Sequence, residues 1–240
     1  IVNILQLDEN EKVSAMVCAR TNDGAGYLTM CTRNGTVKRT PMSEYGNVRR
    51  SGLRAIALDE GDELISVKRT SGEDTLLVGT RQGLAIRFDE RDARPMGRVT
   101  MGVRGIRLQS GDEVVGMELA REGTTLLTVT EKGFGKRSPL SEYKIQSRGG
   151  KGITNYKLSE KTGLVVGIRT VTEEEDLLLI SSDGILIRMA ASDVSLIGRS
   201  TQGVRLMRLS DGVDIVNLAT ADKEPEAEEA EGESAAATEE

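Results

Sequence analysis

The sequence predicts an all-β, propeller-like array of four-stranded blades, and three observations carry that expectation. The chain repeats itself: Gly52, Gly102, Gly152 and Gly203 mark the same point in successive units, at spacings of 50, 50 and 51 residues. Each unit divides into about four short segments, enriched in β-branched residues and separated by glycine-bearing turns. No stretch outside the C-terminal tail sustains a helical period. A fixed period of this length with four strands in it is the arithmetic of a propeller blade.

The order of elements follows from two ladders. Six residues after each marker glycine stands a leucine, Leu58, Leu108, Leu158 and Leu209, and each is followed by a polar turn such as Gln109-Ser110-Gly111-Asp112. A second ladder runs through Gly35, Gly83, Gly133 and Gly184, each with an arginine four residues on: Arg39, Arg87, Arg137 and Arg188. Repeats therefore start near residues 27, 75, 125 and 176. In the second, strands are expected over 75–80, 84–88, 103–108 and 114–119, all within one blade. Residues 1–26 read as the back half of an earlier unit. Leu7 lies 51 residues before Leu58, so that unit's marker glycine falls at position 1, and the array is expected to be incomplete at its N-terminus, with repeats missing. The β domain is taken to span 1–220. Beyond it, 221–240 is rich in Glu, Ala and Ser with no apolar face, and disorder is expected.

Composition bounds the chemistry. Hydrophobic residues are 38% and aromatics 2%, with no Trp, so the core must be Leu, Ile, Val and Met. No apolar run reaches the length of a membrane span. Cys18 and Cys31 have no metal-type spacing, and the chain has no histidine, which fits a reducing cytoplasm and excludes a structural zinc site. The formal net charge of −6 hides an asymmetry. The last twenty residues hold nine acids and one lysine; of 38 acids and 32 bases, 29 and 31 remain before them, a body of about +2. Whether a mild excess matters depends on clustering.

The cations cluster on the repeat. The stretch Gln146-Ser147-Arg148-Gly149-Gly150-Lys151-Gly152 sets two cations and three glycines in seven residues. Alone, it reads either as a solvated turn or as an anion site. Aligned by period, Arg148 matches Arg98 and Arg199, while Met101 and Gln202 replace Lys151. The first unit carries Arg49, Arg50 and Arg54 around Gly52, and Arg104 and Arg205 stand two residues beyond their glycines. The second ladder adds Arg39, Arg87, Arg137 and Arg188, with Lys38 and Lys136 beside two of them. Any one arginine is explained by a solvated strand end. The whole series points to a belt of phosphate contacts. Aromatic platforms for single-stranded bases are nearly absent, and nothing resembles a recognition helix, so the expected partner is duplex backbone, read through its bendability.

The unit length, the four-strand units and the heptad resemble the C-terminal β-pinwheel domains of bacterial gyrase A subunits, members of the type IIA topoisomerases. Their signature loop has the form Q-(K/R)-R-G-G-(K/R)-G; Gln146, Arg148, Gly149, Gly150, Lys151 and Gly152 match it, and Ser147 departs. Further likeness lies in 34–39, 51–71, 100–116, 163–167 and 197–204. The resemblance implies a module that binds and bends duplex DNA around a basic rim and supports ATP-dependent negative supercoiling by a holoenzyme. It implies as partners duplex DNA, the gyrase A N-terminal core and the gyrase B subunit in an A2B2 assembly at the bacterial nucleoid. ATP and Mg2+ would serve other parts of that assembly and no cofactor this region. The alternatives are the related topoisomerase IV domain and a propeller that binds protein partners.

No catalytic group is expected here. The cleavage tyrosine of such enzymes follows an arginine, whereas Tyr27, Tyr45, Tyr143 and Tyr156 follow Gly, Glu, Glu and Asn. Without histidine there is no Ser-His or Cys-His pair. Glu173-Glu174-Glu175-Asp176 reads as a solvated turn, and Gly133-Phe134-Gly135 lacks the third glycine of a dinucleotide fingerprint.

Overall fold

The computed structural model describes residues 13, 16–17, 25–46 and 52–223. Most of the early half-unit, Arg49, Arg50 and the tail from 224 lie outside the described residues. Fifteen strands fill the described region: β1 Tyr27–Thr32, β2 Thr36–Pro41, β3 Leu64–Thr70, β4 Thr75–Thr80, β5 Leu84–Asp89, β6 Val103–Arg104, β7 Val114–Leu119, β8 Thr125–Thr130, β9 Phe134–Pro139, β10 Ile153–Thr154, β11 Val165–Val171, β12 Glu175–Ser181, β13 Leu186–Ala190, β14 Val204–Arg205 and β15 Ile215–Asp222. The last strand runs two residues past the expected boundary at 220.

The strands form four antiparallel sheets in the orders β3-β1-β2-β6, β10-β5-β4-β7, β11-β8-β9-β14 and β13-β12-β15. This corrects one expectation: a repeat is not a blade. The third strand is two residues long rather than six, and it pairs with the preceding repeat. Thus β6 lies on β2 (Thr36↔Arg104), β10 on β5 (Thr154↔Leu84) and β14 on β9 (Arg205↔Phe134). The second, third and fourth repeats each keep a hairpin and an inner strand at home and lend an outer strand backward; the first has no such strand among the described residues.

Six of the eight ladder glycines share one cause, the crossing where a lent strand meets the hairpin it completes; around Gly52 and Gly184 the space is open. A Cβ on Gly83 would lie 2.7 Å from the Tyr156 carbonyl oxygen, and one on Gly152 would lie 2.6 Å from that of Ala85; both glycines also have φ near +75° (77° and 74°). Only glycine meets both demands.

The blades stack face to face, and the period-2 alternation of each hairpin feeds two interfaces. In β4, Leu76 and Val78 pack with Cys31, Val37, Ile86 and Met117, between the first two blades. Leu77 between them turns the other way, to Ala85, Leu126, Tyr143, Tyr156 and Ile168. Leu127, Val129, Leu177, Leu179 and Ile215 fill the third interface. Tyr143 and Tyr156, among the largest fully buried side chains, serve this packing; Tyr143 donates from its hydroxyl to Asn155 Oδ1 at 2.6 Å.

Ion pairs stitch the inner strands. Glu118 on β7 binds Lys68 on β3 (2.7 Å) and Arg169 on β11 (3.2 Å), joining three blades through one carboxylate. The acidic run 173–176 is not simply solvated: Glu173 pairs with Arg137 (3.2 Å), Glu175 accepts from the Thr172 amide (2.7 Å) and Asp176 pairs with Arg188 (2.7 Å).

Candidate nucleic-acid interface

The heptad enters beside β5, where the Gln146 amide donates to the Arg87 carbonyl (2.8 Å). It then crosses the outer edge of the second blade. Gly149 N–H donates to the Gly105 carbonyl (2.6 Å), and the Gly150 carbonyl accepts from Arg107 N–H (2.8 Å). The loop is thus stitched to the outer strand segment of the preceding repeat. Gly149, at φ +77°, lets the chain turn there. Gln146 and Arg148 are half-buried, and Lys151 is exposed with no bonded partner among the described residues.

Arg148 has a structural grip. Its Nε donates to the Asp92 carbonyl (2.7 Å), its Nη1 to the Arg104 carbonyl (3.1 Å), and its amide to Asp92 Oδ2 (3.3 Å). The equivalent arginines do the same. Arg98 Nη1 reaches the Arg54 carbonyl (3.5 Å), and Arg199 Nη1 reaches that of Thr154 (2.6 Å) while its amide donates to Glu142 Oε2 (2.8 Å). Each loop arginine therefore clasps the outer strand segment of the repeat before it. A guanidinium has five N–H donors, so these carbonyls leave others open to solvent.

The second ladder is corrected more sharply. Arg39 and Arg137 are only 4% and 3% exposed, and Lys38 and Lys136 are fully buried. Arg39 Nε donates to the Ala93 carbonyl (2.9 Å), Arg87 Nη1 to the Leu140 carbonyl (2.9 Å) and Arg137 Nε to the Val194 carbonyl (2.9 Å). Those carbonyls belong to the short 3-10 turn of the next repeat, whose open end attracts a cation. Arg39 further meets the buried Glu90 (3.5 Å), which also accepts from Thr70 Oγ1 and from the amides of Gly72 and Asp74. Arg188 pairs with Asp176 and donates to the Asp222 carbonyl (2.8 Å). A buried cation costs several kcal/mol unless bonded, and the inter-blade carbonyls satisfy that need. Lys38, Arg39, Lys136 and Arg137 are thus closed to a rim ligand, while Arg87 is half-buried and Arg188 exposed, both bonded within the fold.

The exposed cations are a different series. Arg104 and Arg205 stand on the outer strands β6 and β14, and Arg54 at the matching point of the first repeat outside any strand, each two residues beyond its marker glycine. Arg107, Lys157 and Arg208, five residues beyond them, are also exposed, and sequence reasoning passes over them. Their signal is present, since they recur at spacings of 50 and 51 residues, but they lie outside the basic stretches that draw the eye. These six recur in equivalent places and Lys151 adds a seventh exposed cation without a counterpart, none of them in an ion pair among the described residues. Arg205 lies over the Phe134 ring, 5.2 Å from its centroid. Arg49 and Arg50 lie outside the described residues.

Comparison with known proteins agrees with this architecture. The family model described as the DNA gyrase C-terminal domain, beta-propeller, matches residues 26–71, 74–121, 124–172 and 175–222. Among curated relatives, the DNA gyrase A subunit of Clostridium acetobutylicum is 53% identical over 224 residues, covering 93% of this chain and 27% of the relative. That of Staphylococcus aureus (strain NCTC 8325) is 41% identical over 241 residues, covering 99% and 27%. The chain thus spans about a quarter of the length of these relatives. A solved DNA gyrase A C-terminal domain superposes with a TM-score of 0.82 at 28% identity, covering 91% of this chain and 73% of that one. The C-terminal domain of DNA topoisomerase IV shares the fold at TM-score 0.85 and 23% identity, covering 92% and 69%. No helix among the described residues is long and apolar enough to cross a membrane. With four successive repeats matched and a gyrase A relative identical at over half of its aligned positions, the chain belongs to the DNA gyrase C-terminal domain family.

Proposed function

We propose that this region binds duplex DNA along the outer edges of its blades and bends it there. In the whole protein it would serve ATP-dependent negative supercoiling together with the gyrase A core and the gyrase B subunit. The observation that carries the reading is the recurrence of Arg104, Arg107, Lys157, Arg205 and Arg208 in equivalent exposed places, with Lys151 beside them, none with an ion-pair partner among the described residues. A stepped row of free cations matches the stepped row of phosphates on a curved duplex. Bending 20–30 bp by 40–90° costs about 1–6 kcal/mol, which distributed phosphate contacts offset. The contacts would be largely indifferent to sequence.

The test is duplex binding across a salt series. Each phosphate contact contributes about 0.9 to the slope of log affinity against log salt. Lys151→Ala/Arg107→Ala should bind more weakly, with a slope shallower by nearly two such steps. An unchanged slope removes these residues from the interface. No binding by the parent chain at low salt points instead to a protein partner. The topoisomerase IV domain has the same fold, and supercoiling by the reconstituted holoenzyme, against relaxation alone, separates the two activities.

A further inference from the structure

The buried lysines reveal an alternation. Three residues after each glycine of the second ladder stand Lys38, Ile86, Lys136 and Ile187. Lys38 Nζ donates to the Ala55 carbonyl (2.7 Å) and to that of Arg98. Lys136 Nζ donates to the Gly198 carbonyl (2.9 Å), the Arg199 carbonyl, and both the carbonyl and hydroxyl of Thr201 (3.2 Å each). Its ammonium also lies 4.9 Å from the centroid of the Tyr156 ring. Each ammonium therefore sits beneath the cationic loop of the next repeat. Beneath the heptad loop the same position is Ile86, whose Cδ1 lies 3.4 Å from where a Cβ on Gly150 would be. The three loops thus carry one lysine each. In the first (96–102) and third (197–203) it is inside, while Met101 and Gln202 take the outer place. In the second (146–152) it is outside, as Lys151.

A trans peptide is planar, so a carbonyl turned inward turns the next N–H outward. With the carbonyls of Gly198, Arg199 and Thr201 gathered on Lys136, the amides of Arg199, Ser200 and Gln202 face away from it. Glu142 takes the Arg199 amide; those of Ser200 and Gln202 sit on exposed residues. In the first loop, the inward carbonyl of Arg98 turns out the amide of Val99, which is 63% exposed. Outward amides over a buried positive charge favour an anion.

We propose that Lys38 and Lys136 are positioning residues that turn two of the three loops into backbone-amide phosphate sites, using Val99, Ser200 and Gln202 as donors. The heptad loop reaches phosphate through the Lys151 side chain instead. The inference rests on the DNA-binding reading above, and its test is arranged so that the two fail separately.

The variants are Lys136→Ile and Lys38→Ile in the 240-residue chain. Isoleucine already occupies this place in two repeats, and amide exchange in β8 and β9 reports that the core is intact. Three measurements decide. In the free protein, an amine-acetylating reagent should label Lys151 and Lys157 and spare Lys38 and Lys136. Lys136→Ile should speed amide exchange at residues 199–202 by tenfold or more, and Lys38→Ile should do so at 98–101. Each should weaken duplex binding about tenfold, as loss of one or two hydrogen bonds would, with the salt slope nearly unchanged because no cation leaves the interface. Ready acetylation of Lys136, or a slope shallower by about 0.9 in Lys136→Ile, overturns positioning in favour of direct phosphate contact. Unchanged exchange and affinity reduce the lysines to space-filling. Failure of the parent chain to bind duplex overturns the phosphate role, while labelling and exchange still decide the latch.

Discussion

Arg148 Nη1 donates to the main-chain carbonyl of Arg104 across 3.1 Å, joining the centre of the signature heptad to the outer strand of the repeat before it. The residue most suggestive of phosphate binding is therefore half structural, and nearby Lys151 has no bonded partner among the described residues. The two should separate by experiment. Arg148→Ala is expected to lower the melting temperature by a few degrees and to speed amide exchange at Gly149, whose bond to Gly105 lies beside the clasp. Lys151→Ala should leave the melt unchanged and take about 0.9 from the salt slope. Equal effects of the two on slope and melt would refute the division.

Glu90 is fully buried and serves Arg39, Thr70 and the amides of Gly72 and Asp74 together. Replacing it by Ala strands a buried guanidinium and two amides. Glu90→Ala should cost about 3–5 kcal/mol in urea unfolding. A loss below about 1 kcal/mol would mean that water or a rearranged loop replaces the carboxylate.

Gly152 has φ +74° and a would-be Cβ 2.6 Å from the Ala85 oxygen. Gly152→Ala should destabilise by at least the roughly 1–2 kcal/mol of a left-handed non-glycine residue. The exchange of Ile153 and Thr154 amides should rise with it, since their pairing with β5 depends on this approach. A neutral melt would show that the crossing tolerates a wider gap.

Burial, with the nearby Asp62 charge adding to it, pushes the Cys31 thiol up to about 12. Peptide mapping after iodoacetamide at pH 8 should find Cys31 unmodified in the native chain and alkylated in urea. Native modification at the rate of a free thiol would mean that the first blade opens readily.

Burial brings Lys38 and Lys136 down to about 8 from 10.5; the Arg98 charge adds to the fall at Lys38, while at Lys136 the Glu142 carboxylate opposes it and Arg199 adds to it. Since the native value is the lower, the unfolded chain binds more protons between about pH 8 and 10.5. The cost of the buried charge is thus full below pH 8 and is relieved across that window. Relative to Lys38→Ile/Lys136→Ile, the parent chain should gain thermal stability between pH 7.5 and 9.5. A flat difference would place both ammonium groups near their ordinary value.

The repeats and their strands were legible because glycine positions are set by backbone crossings, which fix spacing rigidly. What period alone does not show is partnership. Val103 and Arg104 fit a strand in any blade, and only the approach of Gly102 to Val37 and of Gly35 to Ile106 assigns them to the earlier one. The cations divide for a similar reason. Arg39 and Arg104 both recur beside glycines in basic stretches, yet the first lies under the next repeat's 3-10 turn and the second on an outer edge. Direction depends on which carbonyls stand opposite, and those come from residues some 50 positions away. The same distance hid the Lys136 latch, whose acceptors lie more than 60 residues downstream.

Strand lending makes the second and third repeats both donors and recipients of the same two-residue ladder. Duplicating or deleting one unit of about 50 residues therefore reproduces existing junctions and demands no new interface. On the DNA-binding reading proposed above, adding or removing a unit would lengthen or shorten the arc of duplex embraced in equal increments.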